Sequence, residues 1–384
     1  MASFSVVDDA LVIDLAAMRR IVIDPANRTA RVKAGATSAE LASAAQEHGL
    51  ALSTGDTPTV GMGGLTTGGG IGFMVRRYGL AIDNLLSARI VTASGEIVTA
   101  SPTSHPDLFW AIRGGGGNVG IVTEFEFRMA PVGTVLGGTL MLPATREVVR
   151  GYLDFLGFGP GRFDHHREHD ARAAGSVRAG WDGEQAHAHD PAGGDRRSRG
   201  GPEGPCAAAG AGGADCGPDR PDALPLDLRD YTAAGADEWR QGTVRMMFAD
   251  DLGDAAIEAS IAAVRDATAP ASLVQVRGLG GALARVAPAA TAFAHRQRRY
   301  LVALIRVRYD PAEEPGQHEA WIRSLWDAIR HEGSGVYVNF LQHEGEDRIR
   351  EAYPSGTCER LAAVRARYDP DNIFRFNQNI PPAR

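Results

Sequence analysis

The sequence predicts an α+β fold in two domains, and three observations point to it. Apolar, β-branched segments alternate with amphipathic helical segments in both halves of the chain, which favours sheets covered by helices. The length of 384 residues is enough for two domains, each with a core of its own. In the second half, strand patterns recur between helices and turns, which indicates a central antiparallel or mixed sheet. These strands are predicted at 242–248, 272–279, 300–309 and 335–341.

Helical patterns separate those strands, at 254–267, 317–331, 346–353 and 358–368. The first half of the chain consists of shorter elements. A helix at 38–48 has Ser38 as its predicted N-cap and Gly49 as its stop, and a further helix begins near Pro106. Strands of this half are predicted at 10–15, 21–25, 29–33, 85–100 (as a hairpin) and 121–127.

The chain is organised around a glycine-rich stretch between Thr54 and Asn84. No ordinary helix or strand is expected to tolerate so many glycines, because each adds backbone entropy that folding must remove. Successive bare N–H groups can instead form a concavity that binds a phosphate. The stretch lacks the GK[ST] of a P-loop and the spacing of a dinucleotide-binding GxGxxG. Taken alone, it is equally well explained by turns or a linker.

A second glycine cluster follows at 113–120, RGGGGNVG, and leads into the half-buried strand predicted at 121–127. Two bare turns that flank one strand-rich segment suggest two walls of a single extended ligand site. This second cluster favours a binding site over a flexible linker.

Composition argues against several classes of function. The net charge of −7 is that of a soluble globular protein rather than a general nucleic-acid binder, and no run of 18 apolar residues predicts a membrane span. The first residues do not form an export signal, so a cytoplasmic protein is expected. The three cysteines form neither a disulfide framework nor a metal-binding spacing. A metal site at His165, His166 and His169 would lack a helical frame with carboxylates, so no metal is predicted.

Three blocks of the chain, in the same order, resemble one family. The first block runs from PTVGMGGLTTGGGIG to YGLAIDN and is followed by HPDLFWAIRGGGGNVGIVTEFEFR. The second runs from GG to AFAHR at 280–296, and the third is YDPDNIFRFNQNIPP at 368–382. This pattern is similar to the FAD-linked oxidoreductases typified by berberine bridge enzyme and bacterial carbohydrate oxidases. The resemblance implies a PCMH-type FAD-binding domain at 1–133 and an α+β substrate domain with a central antiparallel sheet at 134–342. A C-terminal segment at 343–384 returns to the FAD domain.

The resemblance also implies the residues that bind FAD. Gly63, Gly64, Gly68, Gly69, Gly70 and Gly72 would approach the pyrophosphate, Gly120 and Val122 would lie along the cofactor, and Asn379 would reach the flavin. Asp83, Asn84 and Asn118, within the same matching blocks, complete the predicted cofactor set. For Asn377 and Asn379, turn formation is the alternative explanation.

The chain departs from the family pattern at both positions that carry covalent flavin links. The strand-helix unit and RSGGH loop that precede this region in the family are absent, so the chain is expected to be truncated at its N-terminus. Thr57 stands where bicovalent members have a cysteine, and threonine cannot form that thioether. FAD is therefore expected to bind non-covalently.

The catalytic base is not identified by the resemblance. Arg285 stands where alkaloid-cyclising members have a glutamate, and Phe340 where carbohydrate oxidases have a tyrosine. Neither residue can accept a proton at ordinary pH. Tyr337 and Tyr353 are the nearest phenols and our catalytic candidates, with packing as the alternative role for each, and His295 is a third candidate with a structural alternative. The activity is expected only as a class: two-electron oxidation of an alcohol or C–N centre in a small carbohydrate-like or secondary-metabolite substrate.

One segment, 162–222, does not fit a compact domain. It contains no Leu, Ile or Met, and its only large apolar residues are Phe163, Val177 and Trp181. Such a composition cannot bury enough apolar surface to offset the entropy lost when the chain becomes ordered. We expect it to be disordered or to derive from a shifted reading frame.

Three functions remain open from sequence. They are an FAD oxidase using oxygen, an FAD dehydrogenase with another acceptor, and a degraded family member that binds flavin weakly or not at all.

Overall fold

A computed structural model describes residues 8–133, 135, 142–157, 176–178, 241–267, 272–308 and 315–384. Apart from 176–178, the anomalous segment 162–222 lies outside these residues, and so do His165, His166, His169, Cys206 and Cys216. Among the helices of the described ranges, none has both the length and the apolar character that crossing a membrane requires.

The first half of the described chain forms an antiparallel sheet with strand order β1-β2-β6-β4-β5. Its members are β1 (Ile21–Asp24), β2 (Thr29–Lys33), β4 (Leu85–Val91), β5 (Ile97–Ala100) and β6 (Ile121–Arg128). A two-stranded pair joins β3 (Leu50–Ala51) to β7 (Ala130–Pro131). The helices of this half are α1 (Ser38–Gln46), α2 (Met62–Gly68), α3 (Val75–Tyr78) and α4 (Pro106–Ala111).

The second half forms another antiparallel sheet, with strand order β12-β9-β11-β10-β8. Its strands are β8 (Ser176–Arg178), β9 (Gln241–Ala249), β10 (Ser272–Gly278), β11 (Tyr300–Arg308) and β12 (Gly333–Ser334). The accompanying helices are α5 (Arg146–Gly157), α6 (Asp254–Arg265), α7 (Ala282–Arg285), α8 (Pro315–Ile329), α9 (Glu346–Ala352) and α10 (Ser355–Tyr368). The predicted α+β fold with a central antiparallel sheet is confirmed.

The second sheet is buried on both faces. Val244, Met246 and Phe248 alternate along β9 and join the core shared with the first sheet, while Met247 and Ala249 face the core formed with α5, α6 and α8. Alternation of side chains across a strand explains this division. One face of the sheet is therefore held against the part of the molecule that contains both glycine clusters.

Two predicted strands are wrong. Residues 10–15 form no strand, and Leu11, Val12 and Ile13 are exposed, so their apolar character does not indicate a buried position. Residues 335–341 are buried as expected, but the chain turns there into a 3₁₀ turn at Val338–Phe340 after Gly335, whose φ is +80°. A left-handed glycine interrupts the extended backbone that a strand requires.

The N-cap of α1 is also corrected, from Ser38 to Thr37. The Thr37 side chain accepts a hydrogen bond from the Glu40 backbone N–H, and the Glu40 carboxylate accepts one from the Thr37 N–H. This reciprocal capping box satisfies two backbone donors that the helix start would otherwise leave unpaired.

The central glycine stretch is not entirely a loop, because its first half folds as α2. Met62 and Leu65 are buried, and the backbone N–H groups of Met62 and Gly63 donate to the carbonyls of Ala36 and Ala34, at 2.8 and 2.9 Å. Tertiary packing of a short helix outweighs the low helix propensity of its glycines. The expectation that no helix would form here is therefore wrong.

A candidate cofactor cleft

The two glycine clusters are in direct contact. The backbone N–H groups of Gly114 and Gly116 both donate to the carbonyl oxygen of Thr67, near the end of α2, at 2.9 and 3.0 Å. These bonds satisfy a carbonyl at the helix C-terminus that lacks an intrahelical donor. The structure thus brings together the two turns that the sequence suggested as walls of one site.

The C-terminal tail reaches the same place through a buried arginine, Arg365 of α10. Its Nη1 donates to Asn118 Oδ1 at 2.8 Å and to Asn379 Oδ1 at 2.6 Å, and the Asn118 side chain also bonds the backbone of Gln378 and Ile380. Asn118 and Asn379 were both predicted to bind the cofactor. Their side-chain amide oxygens accept hydrogen bonds from Arg365 instead.

The charge of Arg365 is balanced by Asp369, and neither side chain is exposed. The Asp369 carboxylate accepts from the Arg365 Nε and Nη2 atoms at 3.2 and 3.0 Å. Burial lowers the pKa of Arg365, and the bond to Asp369 opposes that shift. A buried charge of this kind is tolerated only with such a partner, so the pair fixes the tail against the second glycine cluster.

Several predicted cofactor glycines are explained by close packing within the protein. A Cβ on Gly72 would lie 1.7 Å from the Thr54 carbonyl oxygen, and one on Gly68 would lie 2.0 Å from Asn339 Oδ1. Contacts under 3.0 Å would also arise for a Cβ on Gly70, with Ala81, and on Gly120, with Ile90 and Val91. Looser contacts would arise for a Cβ on Gly63, with Ala34, and on Gly69, with Tyr337 and Phe293. At the four tighter positions a Cβ would displace protein atoms whether or not a ligand binds.

Three other glycines are packed less closely, and one of them, Gly64, faces open space. A Cβ on Gly64 would meet no atom within 4 Å, one on Gly116 would lie 3.5 Å from Tyr353 Oη, and one on Gly117 would lie 3.8 Å from Asn377 Nδ2. Gly64 lies one turn before Thr67 on α2 and so shares its face, which contacts the second cluster. We call the region bounded by Gly64, Thr67, Gly116 and Gly117 the open cleft. Of these four residues, the sequence-based prediction included only Gly64.

The open cleft has one feature that binding of a flavin dinucleotide would require. It combines bare backbone from two turns, as a phosphate or a planar ring requires for close approach. Two buried polar atoms beside it, Tyr353 Oη and Asn377 Oδ1, have no hydrogen-bond partner within the described residues.

Other predicted cofactor residues hold the surrounding backbone. Asp83 forms a bidentate pair with the fully buried Arg296, with both N–O distances at 2.8 Å. Asn84 donates from Nδ2 to the carbonyls of Tyr78 and Leu80. Val122 is buried in β6. For these residues a contact with the cofactor stays a prediction.

The two catalytic candidates occupy different surroundings. Tyr337 Oη accepts hydrogen bonds from the Gly70 backbone N–H at 2.9 Å and from Asn339 Nδ2 at 2.8 Å. Tyr353 Oη, in contrast, makes no hydrogen bond to any described residue. Burial raises the pKa of both phenols. Each therefore keeps its proton at neutral pH, which disfavours either as a general base, and the predicted catalytic role stays untested.

The remaining candidates for a base are no better placed. Arg285 is exposed at the end of α7. His295 stacks on Phe248 with 4.7 Å between ring centroids, and its Nε2 lies 2.9 Å from the Glu351 carbonyl oxygen. Burial lowers the pKa of His295, so a neutral, structural imidazole is favoured.

A polar cluster beside Thr57 was missed by sequence reasoning. Arg277 of β10 pairs with Asp56 at 2.5 Å, donates from Nε to Gln275 at 2.8 Å, and stands 5.4 Å from the Phe340 ring centroid. Its members come from three distant segments and carry no local motif. They join the second sheet to the loop that precedes α2.

Comparisons with known proteins agree with this geometry. Residues 1–101 match the model of an FAD binding domain, and residues 336–381 match the family described as berberine and berberine like. The uncharacterised FAD-linked oxidoreductase YgaK of Bacillus subtilis is 30% identical over all of this chain and 84% of its own length. A xylooligosaccharide oxidase of Thermothelomyces thermophilus is 42% identical over 38% of this chain and 30% of its own.

Among solved structures, 6-hydroxy-D-nicotine oxidase from Arthrobacter nicotinovorans superposes with a TM-score of 0.72 and 25% identity, covering 99% of this chain and 84% of that one. The PCMH-type fold and the FAD cofactor expected from the sequence are confirmed. The chain belongs to the FAD-linked oxidoreductases of the berberine bridge enzyme type and is an FAD-dependent enzyme.

Proposed function

We propose that this protein oxidises an alcohol or C–N centre of a small carbohydrate-like or secondary-metabolite substrate by two electrons, with oxygen as acceptor. Residues 1–133 and 343–384 form the FAD-binding part, and 134–342 the substrate part. The observation that carries the proposal is the open cleft, where the two glycine-rich turns contact each other and the C-terminal tail is held beside them through Arg365.

Two of the three named relatives support the substrate class. By name, one is an oxidase of xylooligosaccharides and the other of 6-hydroxy-D-nicotine, so a carbohydrate and a nitrogen-containing metabolite are both represented. When bound, FAD accepts the electron pair from such a substrate. The protein must hold the cofactor, orient the substrate and provide for the proton that leaves it.

Arg277, Gln275 and Asp56 are suited to substrate orientation. The Arg277 side chain is 15% exposed and the Asp56 side chain 21%, so both are partly accessible while held in place. With Phe340 beside them they offer hydrogen-bond donors, acceptors and an aromatic face, the combination that hydroxylated or heterocyclic substrates require.

We further propose that FAD is held without a covalent bond, because Thr57 offers a hydroxyl rather than a thiol. Acid precipitation of the yellow purified protein tests this: the colour should remain in the supernatant. Colour in the pellet would contradict the non-covalent assignment. A colourless protein that FAD cannot reconstitute would contradict the proposed function itself.

Oxygen as acceptor is tested separately. The bound flavin is reduced with substrate under nitrogen, and its reoxidation is followed after mixing with aerated buffer. Fast reoxidation supports an oxidase, whereas reduction by substrate with slow reoxidation indicates a dehydrogenase.

A further inference from the structure

Asp56 carries a carboxylate that is fixed at one oxygen and has spare acceptor capacity at the other. Its Oδ2 pairs with Arg277 Nη2 at 2.5 Å, and its Oδ1 accepts a long hydrogen bond of 3.4 Å from the Thr57 hydroxyl. The Asp56 side chain is 21% exposed, so the group is not sealed from ligands. Because a carboxylate oxygen can accept two hydrogen bonds, Oδ1 can receive a further donor.

Arg277 holds this carboxylate in one orientation. The guanidinium is itself anchored to β10, because its Nε donates to Gln275 Oε1 at 2.8 Å and Gln275 is 3% exposed. An arginine stays charged at any pH at which a protein is folded, so Arg277 cannot serve as a base. Arg277 is therefore a positioning residue, and Asp56 is the member of the pair that can accept a proton.

The pair spans the junction between the glycine-rich stretch and the second sheet. Asp56 belongs to the stretch itself, and Arg277 stands 5.4 Å from the ring centroid of Phe340. The Phe340 ring lies 5.5 Å from that of Tyr337, whose hydroxyl accepts a hydrogen bond from the Gly70 N–H. A substrate held between the two proposed parts of the molecule would therefore meet this carboxylate.

Neighbouring groups are less suited to accept a proton. Asp83, in the same stretch, has both carboxylate oxygens bound by the buried Arg296, each at 2.8 Å. Burial raises the pKa of Tyr337 and of Tyr353, so both phenols keep their protons at neutral pH. Of these groups, Asp56 combines a basic oxygen with a vacant acceptor position.

We propose that Asp56 accepts the hydroxyl proton when this protein oxidises an alcohol. Oxidation of an alcohol to a carbonyl breaks one C–H and one O–H bond. The C–H hydrogen leaves as hydride with both electrons, which FAD takes up when bound, and the O–H proton goes to Asp56 Oδ1. Water then removes the proton from the partly exposed carboxylate. The inference rests on the proposed function and narrows its substrate to an alcohol.

The test compares the wild type with Asp56→Asn in the full chain loaded with FAD. Xylobiose is the alcohol probe, and reduction is followed under nitrogen as the loss of flavin absorbance over a range of xylobiose concentrations. Asparagine keeps the shape of the side chain but cannot accept the proton. We expect the limiting reduction rate to fall by about 100- to 10,000-fold. The apparent dissociation constant of xylobiose should change by at most about fivefold, which corresponds to one hydrogen bond.

Asp250→Asn is the matched control. Asp250 follows β9 and pairs with Arg298 at 2.6 Å, so the same chemical change is made in an arginine pair elsewhere on the second sheet. This variant should keep the wild-type reduction rate. The flavin-free melting temperatures of both variants should stay within about 2 °C of the wild type, because partly exposed ion pairs contribute little to stability.

Formate provides a readout that needs no turnover. In Asp56→Ala the Arg277 guanidinium loses its anionic partner and should bind formate in its place. We expect about 100 mM formate to raise the flavin-free melting temperature of Asp56→Ala by about 1–2 °C relative to sodium chloride at equal ionic strength. The wild type and a double variant that adds Arg277→Met should show no such rise. A rise in the double variant, or none in Asp56→Ala, would contradict the positioning role of Arg277.

A reduction rate of Asp56→Asn within about threefold of the wild type overturns the proposal. If Asp56→Asn does not fold, Asp56→Glu decides, because it keeps the carboxylate but displaces it by one methylene and should lose at least about tenfold in rate. An unchanged rate in Asp56→Glu then overturns the proposal. Reduction of the wild type by 6-hydroxynicotine but not by xylobiose overturns this inference alone. A wild type that neither compound reduces would contradict the proposed function, and this inference with it.

Discussion

Replacing Gly64 with alanine separates the stability of α2 from its function. Gly64 lies in the first turn of this helix, and a Cβ there would meet no atom within 4 Å. Alanine is favoured over glycine in a helix by about 0.5–1 kcal/mol. For a chain of this size we expect the flavin-free melting temperature to rise by about 1–2 °C.

The same methyl group should weaken cofactor binding. If the open cleft admits FAD against the bare backbone of α2, the added Cβ occupies space that the cofactor needs. Inserting a methyl into a well-packed contact costs about 1–3 kcal/mol, which corresponds to about 5- to 150-fold weaker binding. Fluorescence titration of the flavin-free protein with FAD measures this change.

Gly151→Ala provides the matched control. Gly151 lies inside α5, is exposed, and a Cβ on it would likewise meet no atom within 4 Å. This variant should gain similar stability and bind FAD as the wild type does. If Gly64→Ala is stabilised and binds FAD as tightly as Gly151→Ala, the face of α2 that carries Gly64 does not contact the cofactor and our placement of the cleft is refuted.

Three further predictions concern the support of the cleft. Asp83→Asn leaves the buried Arg296 charge unpaired and should cost about 3–5 kcal/mol in urea unfolding, whereas loss of the exposed Arg350 pairs on α9 should change little. Tyr337→Phe removes the acceptor of two hydrogen bonds and should cost about 1–3 kcal/mol in the same assay; an unchanged midpoint would contradict the geometry. Burial holds the pKa of His295 below its usual value, so the unfolded chain takes up a proton first as pH falls. The unfolding free energy should therefore decrease below about pH 6.5, and His295→Gln should flatten that slope.

The local pattern of apolar residues was sufficient to predict most strands and helices of the second sheet. The run at 300–308 and the helix at 254–265 have the apolar spacing of a buried strand and an amphipathic helix, and the structure places them as predicted. The same reasoning failed at 10–15 and 335–341. An apolar run does not reveal whether a partner strand is present, and burial alone does not distinguish a strand from a 3₁₀ turn.

The sequence by itself determined the family, the FAD cofactor and the presence of two bare turns, because glycine clusters and motif order are properties of the linear chain. Only the tertiary structure decided which glycines serve the fold and which face the cleft. Gly72 packs on the Thr54 carbonyl, whereas Gly64 faces open space, and nothing in their neighbours along the chain distinguishes them. Likewise, Arg365 reaches Asn118 across 247 residues, and the Tyr353 hydroxyl finds no partner among the described residues. Such contacts depend on which segments the folded core brings together, and that is not a property of any local stretch.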